Sequence, residues 1–178
     1  MFVLRNYRQG DFEALYGIDR ECFDAGIAYS RRELQSYIER KQSFCIVTEA
    51  PAPVARSSTA AIASAKATSQ AARREAGSGD SSTPIAGFVL VEIHHKGYGH
   101  IITIDVLAEY RRRQLGTLLL QAAEERVRKI GGFAMVLETA VNNQAALAFY
   151  ERHKYKVLNK LPGYYGKGLD AWFLTKRL

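Results

Sequence analysis

Cysteine and proline are scarce, with two Cys and four Pro in 178 residues. Two thiols make no disulfide framework. Cys22 and Cys45 both sit in apolar contexts and read as buried free thiols. No apolar run approaches the length of a membrane-spanning helix. The opening MFVLRNYRQGDFEALYGI has neither the apolar stretch nor the small-residue cleavage site of a signal peptide, so a reducing cytoplasm is the expected location. Zinc-finger spacing and aromatic–basic RNA-binding motifs are absent, and no direct nucleic-acid binding is expected. His94, His95 and His100 flank a tight turn without the helical spacing of a metal pair, and His153 reads as exposed on a helix, so no metal is expected. The net charge of +7 admits an acidic partner or an anionic cofactor and does not choose between them.

What is present suffices for one domain with a real core, spanning 1–178. MFVLRNY reads as a strand. GDFEALYGIDRECF places Phe12, Leu15, Ile18 and Cys22 on one helical stripe. Ser30, with Glu33 three residues on, is a capping box that opens a second helix. After the β-rich SFCIVTE the composition changes. Residues 50–84 are mostly Ala and Ser with no aromatic residue, which reads as a low-complexity insertion, an overgrown hairpin loop. PIAGFVLVEIHH and HIITIDVL are strands about a KGYG turn, and in the second Ile102, Ile104 and Val106 are expected on one face with Thr103 and Asp105 on the other. A helix, the buried strand GGFAMVLETA, a short helix NQAALAFYERH and two closing strands complete the order β-α-α-β-β-β-α-β-α-β-β, a mixed α/β sheet flanked by helices.

The segment EYRRRQLGTLLLQAAEERV, residues 109–127, carries Arg111, Arg112 and Arg113 where an amphipathic helix begins. A helix N-terminus carries partial positive charge, so arginines there are the wrong sign unless an anion sits between them and the free N–H groups. Strand, tight turn and helix N-terminus together make such an anion site, and guanidinium groups can fork onto phosphate oxygens.

VLAEYRRRQLGTLLL resembles the acyl-CoA-binding motif of the Gcn5-related N-acetyltransferases, Arg/Gln-x-x-Gly-x-Gly/Ala, with Gln114 in place of the first glycine and Gly116 at the second. NQAALAFYERHKY resembles the same family's Asn-x-x-Ala-x-x-x-Tyr-x-x-x-Gly-Phe segment through Asn143, Ala146 and Tyr150, with Lys154 and Tyr155 replacing Gly-Phe. The resemblance is good over 85–178 and extends to 1–49 by element order. It implies acetyl-CoA as co-substrate, held by Val106 and Leu107 at the strand end, by the turn Arg111, Arg112, Arg113, Gln114, Leu115, Gly116 and Thr117, and by Asn143. Backbone N–H groups near Val106 would then face the thioester carbonyl.

Acetyl transfer to an amine needs a proton acceptor for the ammonium and a proton donor for the leaving thiolate. Tyr150 is the candidate acid, a phenol protonated at neutral pH; it also reads as a core aromatic beside Phe149. Glu138, the one carboxylate on an apolar strand, is the candidate base, at the offset from Asn143 that the RimI-type ribosomal-protein acetyltransferases show. Asp105 is its rival: a base, an anchor for the substrate amine, or a buried group paired with arginine. Tyr164 and Tyr165, followed by Asp170-Ala171, resemble the closing loop of RimI- and Ard1-type N-terminal acetyltransferases, and Tyr29-Ser30 stands where such chains carry Trp-Ser. These likenesses imply a protein or peptide N-terminus as acceptor, a ribosomal protein among the options. A lysine side chain, a small-molecule amine, or acyl-CoA binding without catalysis remain as alternatives.

Overall fold

The computed structural model describes residues 1–24, 26–51, 83–166 and 168–178. Its elements are β1 (Val3–Asn6), α1 (Phe12–Cys22), α2 (Arg31–Glu39), β2 (Ser43–Glu49), β3 (Ile85–His94), β4 (Tyr98–Val106), α3 (Leu115–Lys129), β5 (Ala134–Ala140), α4 (Gln144–Arg152), β6 (Lys156–Leu161) and β7 (Ala171–Arg177). This is the element order that the sequence predicts. The Ser30 capping box forms, with the Glu33 N–H donating to Ser30 Oγ. Most of the predicted insertion, 52–82, lies outside the described residues. Its ends meet: the Ala50 N–H donates to the Pro84 carbonyl at 2.7 Å.

The strands form one sheet in the order β1-β2-β3-β4-β5-β7-β6. Helices cover both faces. Leu15 and Ile18 of α1 and Leu34 of α2 pack on Cys45, Val47, Phe88 and Leu90. Leu119, Leu120 and Val127 of α3 and Tyr150 of α4 pack on Ile46, Val89, Val91, Met135 and Leu137. With both faces covered, β3 is buried over its first seven residues, which is why it reads as a continuous apolar run rather than an alternating one. Each buried leucine or valine on α3 contributes about 1.5–3 kcal/mol relative to exposure.

Two features of the sheet create the site. β4 and β5 pair in parallel at Tyr98↔Ala134, Gly99↔Met135 and His100↔Val136, and no further. Beyond that point the strands part and leave a wedge-shaped gap. The second feature is a bulge. Leu90 pairs with Thr103 and Val91 with Ile101, so Ile102 has no partner on β3. An extra residue flips the alternation of every side chain after it. Ile102 therefore packs with the α1/α2 cluster while Ile104 and Val106 pack with the α3/α4 cluster. The expectation that all three share one face is wrong for Ile102, because period-two alternation cannot anticipate a bulge. Thr103 and Asp105 are buried on the side of α1, and Gly87 permits the close approach there: a Cβ at 87 would lie 2.4 Å from the Asp105 carbonyl oxygen.

Candidate active site

A cavity of about 410 Å³ occupies the gap between β4 and β5. Of the residues singled out in the sequence, Tyr29, Asp105, Val106, Arg111, Gly116, Glu138, Asn143, Tyr150 and Tyr165 line it. Leu107, Arg112, Arg113, Gln114, Leu115, Thr117 and Tyr164 do not. Both backbone groups of Leu107 are occupied: its N–H donates to the Ala86 carbonyl and its carbonyl accepts from the Tyr110 N–H. Leu115 is buried against Ala50 and Ala86.

The gap exposes backbone donors. In an antiparallel ladder, alternate residues turn both polar groups toward the same neighbour. Leu107 bonds Ala86, so in the register of β3 and β4 it is Ile104 and Val106 that aim their N–H groups away from β3 and toward the parted β5. The Val106 carbonyl already accepts from Arg111 Nε at 2.9 Å.

The arginines do not stand in the first turn of α3. The helix starts at Leu115, and Arg111–Arg113 form the turn before it, so the arginines flank the helix N-terminus and can turn away from its positive end. Arg112 (φ 59°) and Gln114 (φ 63°) are both left-handed, a conformation that favours glycine. At the position of the motif's missing glycine, Gln114 thus adopts a backbone that glycine takes most readily. No side chain caps α3, so its first-turn N–H groups have no side-chain acceptor, and Gly116 of that turn lines the cavity. Arg112 and Arg113 are exposed beside them, with Arg113 over the Tyr110 ring. Uncapped donors and two exposed cations at one end of an apolar cavity suit a phosphate-bearing ligand with a slender arm. Arg111 instead folds back, its Nη2 lying 3.6 Å from Cys22 Sγ.

α4 forms the adjoining wall. Asn143 caps it, Oδ1 accepting from the Ala146 N–H at 3.0 Å. Tyr150 is 6% exposed. Burial, with Asp105 and Tyr165 nearby, pushes its phenol well above the ordinary value, so it keeps its proton throughout the physiological range. His153 is half-buried rather than exposed, because its Nε2 lies 3.0 Å from Thr117 Oγ1 and ties α4 to α3. Lys154 (φ 70°) is left-handed where the family pattern has glycine, and the Tyr155 hydroxyl donates to the buried Glu124 carboxylate, which also holds Lys176.

The opposite wall is acidic and aromatic. Glu138 Oε2 lies 2.7 Å from His100 Nε2. In the sequence His100 is only a histidine beside a tight turn; the β4–β5 register places it diagonally from Glu138 on the same face. Tyr164 and Tyr165 stack edge to face at 5.0 Å beside it; Tyr164 is exposed, while burial with the Glu138 charge raises the Tyr165 phenol to about 12. The Tyr29 hydroxyl donates to the Ile102 carbonyl and its N–H to Asp19 Oδ2. Asp105, 1% exposed, accepts from the Thr103 hydroxyl at 2.8 Å through Oδ1, and its Oδ2 has no partner. Burial, reinforced by Asp19, raises its proton affinity strongly. No arginine bonds it, so the pairing expected as one alternative does not form among the described residues. Among the described residues no group of three or more His, Cys, Asp or Glu side chains is placed to hold a metal ion, and no helix is long and apolar enough to cross a membrane.

The family model for the acetyltransferase (GNAT) family matches residues 12–155, and the chain belongs to that family. An N-alpha-acetyltransferase of Saccharolobus solfataricus is 37% identical over 81 residues, which is 45% of this chain and 48% of that protein. N-alpha-acetyltransferase 30 of Schizosaccharomyces pombe is 33% identical over 96 residues, 52% of this chain and 64% of that one. The matches span roughly half to two-thirds of these relatives' length. Among solved structures, Arabidopsis thaliana NAA60 in complex with acetyl-CoA superposes with a TM-score of 0.75 at 17% identity, covering 100% of this chain and 99% of that chain. The ribosomal-protein-S18-alanine N-acetyltransferase from Escherichia coli gives 0.73 at 18%, covering 99% and 94%. At these identities the likeness establishes the fold.

Proposed function

We propose that the protein is an acetyl-CoA-dependent N-acetyltransferase whose acceptor is the α-amine of a protein or peptide N-terminus, a ribosomal protein being one acceptor of that kind. The observation that carries the reading is the β4–β5 gap, with a buried phenol on its α4 side and a histidine-paired carboxylate on the other. The uncapped α3 N-terminus with Arg112 and Arg113 suits the pyrophosphate of coenzyme A, and the co-substrate supplies an activated acetyl thioester. Ile104 and Val106 direct backbone N–H groups to where negative charge develops on the carbonyl oxygen. Glu138, steadied by His100, takes the proton of the incoming ammonium, directly or through water. Tyr150, kept neutral by burial, gives its proton to the departing sulfur. Tyr29, Tyr164 and Tyr165 supply rigid, amphipathic surface for a peptide backbone. The relatives named as N-alpha-acetyltransferases support the choice of acceptor.

The test is a peptide library with varied first and second residues, incubated with acetyl-CoA and read by mass spectrometry. Acetylation confined to α-amines is expected. Turnover of lysine side chains or free polyamines in place of α-amines would move the acceptor, and coenzyme A binding without turnover of any amine would leave a binding module.

A further inference from the structure

The α1 side of the cavity holds a group that the acetyl-transfer steps do not use. The bulge at Ile102 turns Asp105 toward α1, where it lies at the cavity wall, buried, with one oxygen satisfied by Thr103 and the other unpartnered. Among the described residues four buried side-chain oxygens lack a partner, and of their residues Asp105 alone lines the cavity, which points to a group that the ligand brings. Asp105 stands in sequence between Ile104 and Val106, whose N–H groups face the gap. On the acetyl-transfer reading a carbonyl held by those N–H groups lies against this stretch of β4, and the first residue of the acceptor then meets the part of the wall that Asp105 lines. Glu138 faces the cavity from the other strand, beside His100.

The surroundings restrict what that side chain can be. Asp19 of α1 is near enough to raise the proton affinity of Asp105, and its Oδ1 is also unpartnered. Arg111 already brings one positive charge to this corner, against Cys22. A second cation would meet that guanidinium, and an ammonium can only donate. A carbonyl can only accept, and so serves Asp105 only as the acid. A hydroxyl does both, so it can donate to Asp105 as a carboxylate or accept from it as an acid. Ile27 and Phe23 add apolar surface to the cavity wall.

We propose that Asp105 determines specificity for the first residue of the acceptor, selecting serine or threonine over alanine or valine by a hydrogen bond between the side-chain hydroxyl and Asp105 Oδ2. This rests on the N-terminal acetyltransferase reading of the cavity. An aliphatic first residue leaves the oxygen unpartnered and dry, and the penalty appears as slower acetylation.

The test compares kcat/KM for peptides that differ only at the first residue: Thr against its isostere Val, and Ser against Ala. The wild-type protein is expected to favour Thr over Val by roughly ten- to a hundredfold, the range set by stranding one buried polar group. In Asp105→Ala the Thr/Val ratio should collapse toward one. A wild-type ratio at or below one overturns the proposal without any variant, so it stays testable even if Asp105→Ala does not fold. An equal loss on all four peptides in Asp105→Ala also overturns it, because a group acting on the amine, or on the fold, cannot tell Thr from Val. Acetylation of none of the peptides removes the underlying N-terminal acetyltransferase reading and the proposal with it, a result distinct from acetylation without preference.

Discussion

Asp19 offers a prediction whose size follows from its surroundings. The residue is 0% exposed; its Oδ2 accepts from the Tyr29 N–H at 2.8 Å and its Oδ1 has no partner. Burial lifts its pKa from the ordinary 3.8 to about 6, with the Tyr29 N–H only partly opposing the rise. Folding therefore favours the protonated acid. Between about pH 4 and about pH 6 the native state binds more protons than the unfolded chain, so stability falls as pH rises through that window. Above it the full cost applies, on the order of 3 kcal/mol for a difference of this size. Asp19→Asn removes the charge and keeps an oxygen for the Tyr29 N–H. The variant should be more stable than wild type by up to about 3 kcal/mol at pH 7–8, a rise in Tm of at most roughly 6–12 °C for a chain of this length, and indistinguishable below about pH 4. Urea or thermal unfolding of both proteins from pH 4 to pH 8 measures the divergence. Stability curves that run parallel across the range would show that Asp19 is not held protonated by burial, and the reasoning would fail.

Tyr150→Phe removes the hydroxyl and keeps the ring that packs on Phe149 and Tyr155; kcat should fall roughly 10²-fold or more with acetyl-CoA affinity unchanged by calorimetry. Glu138→Gln should lower kcat/KM for acceptor peptides by a similar factor and change the shape of its pH profile, whereas an unaltered profile would remove Glu138 as the proton acceptor. Gln114→Gly relieves a left-handed side chain at φ 63° and should raise stability by about 1 kcal/mol in denaturant titrations. Deleting 52–82 should leave the unfolding midpoint nearly unchanged, because the flanking Ala50 and Pro84 already meet; a large loss of stability would show that the segment packs.

The fold was largely legible in the residues. Periodicity, the Ser30 capping box and the two motif-bearing segments defined each element and its order, because helix and strand patterning are local properties of the chain. The turn at Arg111–Gly116 was legible as a candidate anion site from sequence, and so were Glu138 and Tyr150 as titratable groups beside apolar neighbours. Several points were not legible. The start of α3 after the arginines was missed because a left-handed Gln114 gives no compositional sign of a helix boundary. The changed facing of Ile102 depends on a bulge, which is a mismatch between two strands and appears in neither alone. His100 joined Glu138 across 38 positions through the parallel register of β4 and β5.

By itself, then, the sequence determined which segments are strands and helices and which residues are candidates for chemistry, since both follow from the local character of side chains. Which of those residues meet was decided only by the tertiary structure. The parting of two strands, one extra residue in a ladder and the burial that sets the ionisation of Asp19, Asp105 and Tyr150 all arise from contacts between segments far apart in the chain.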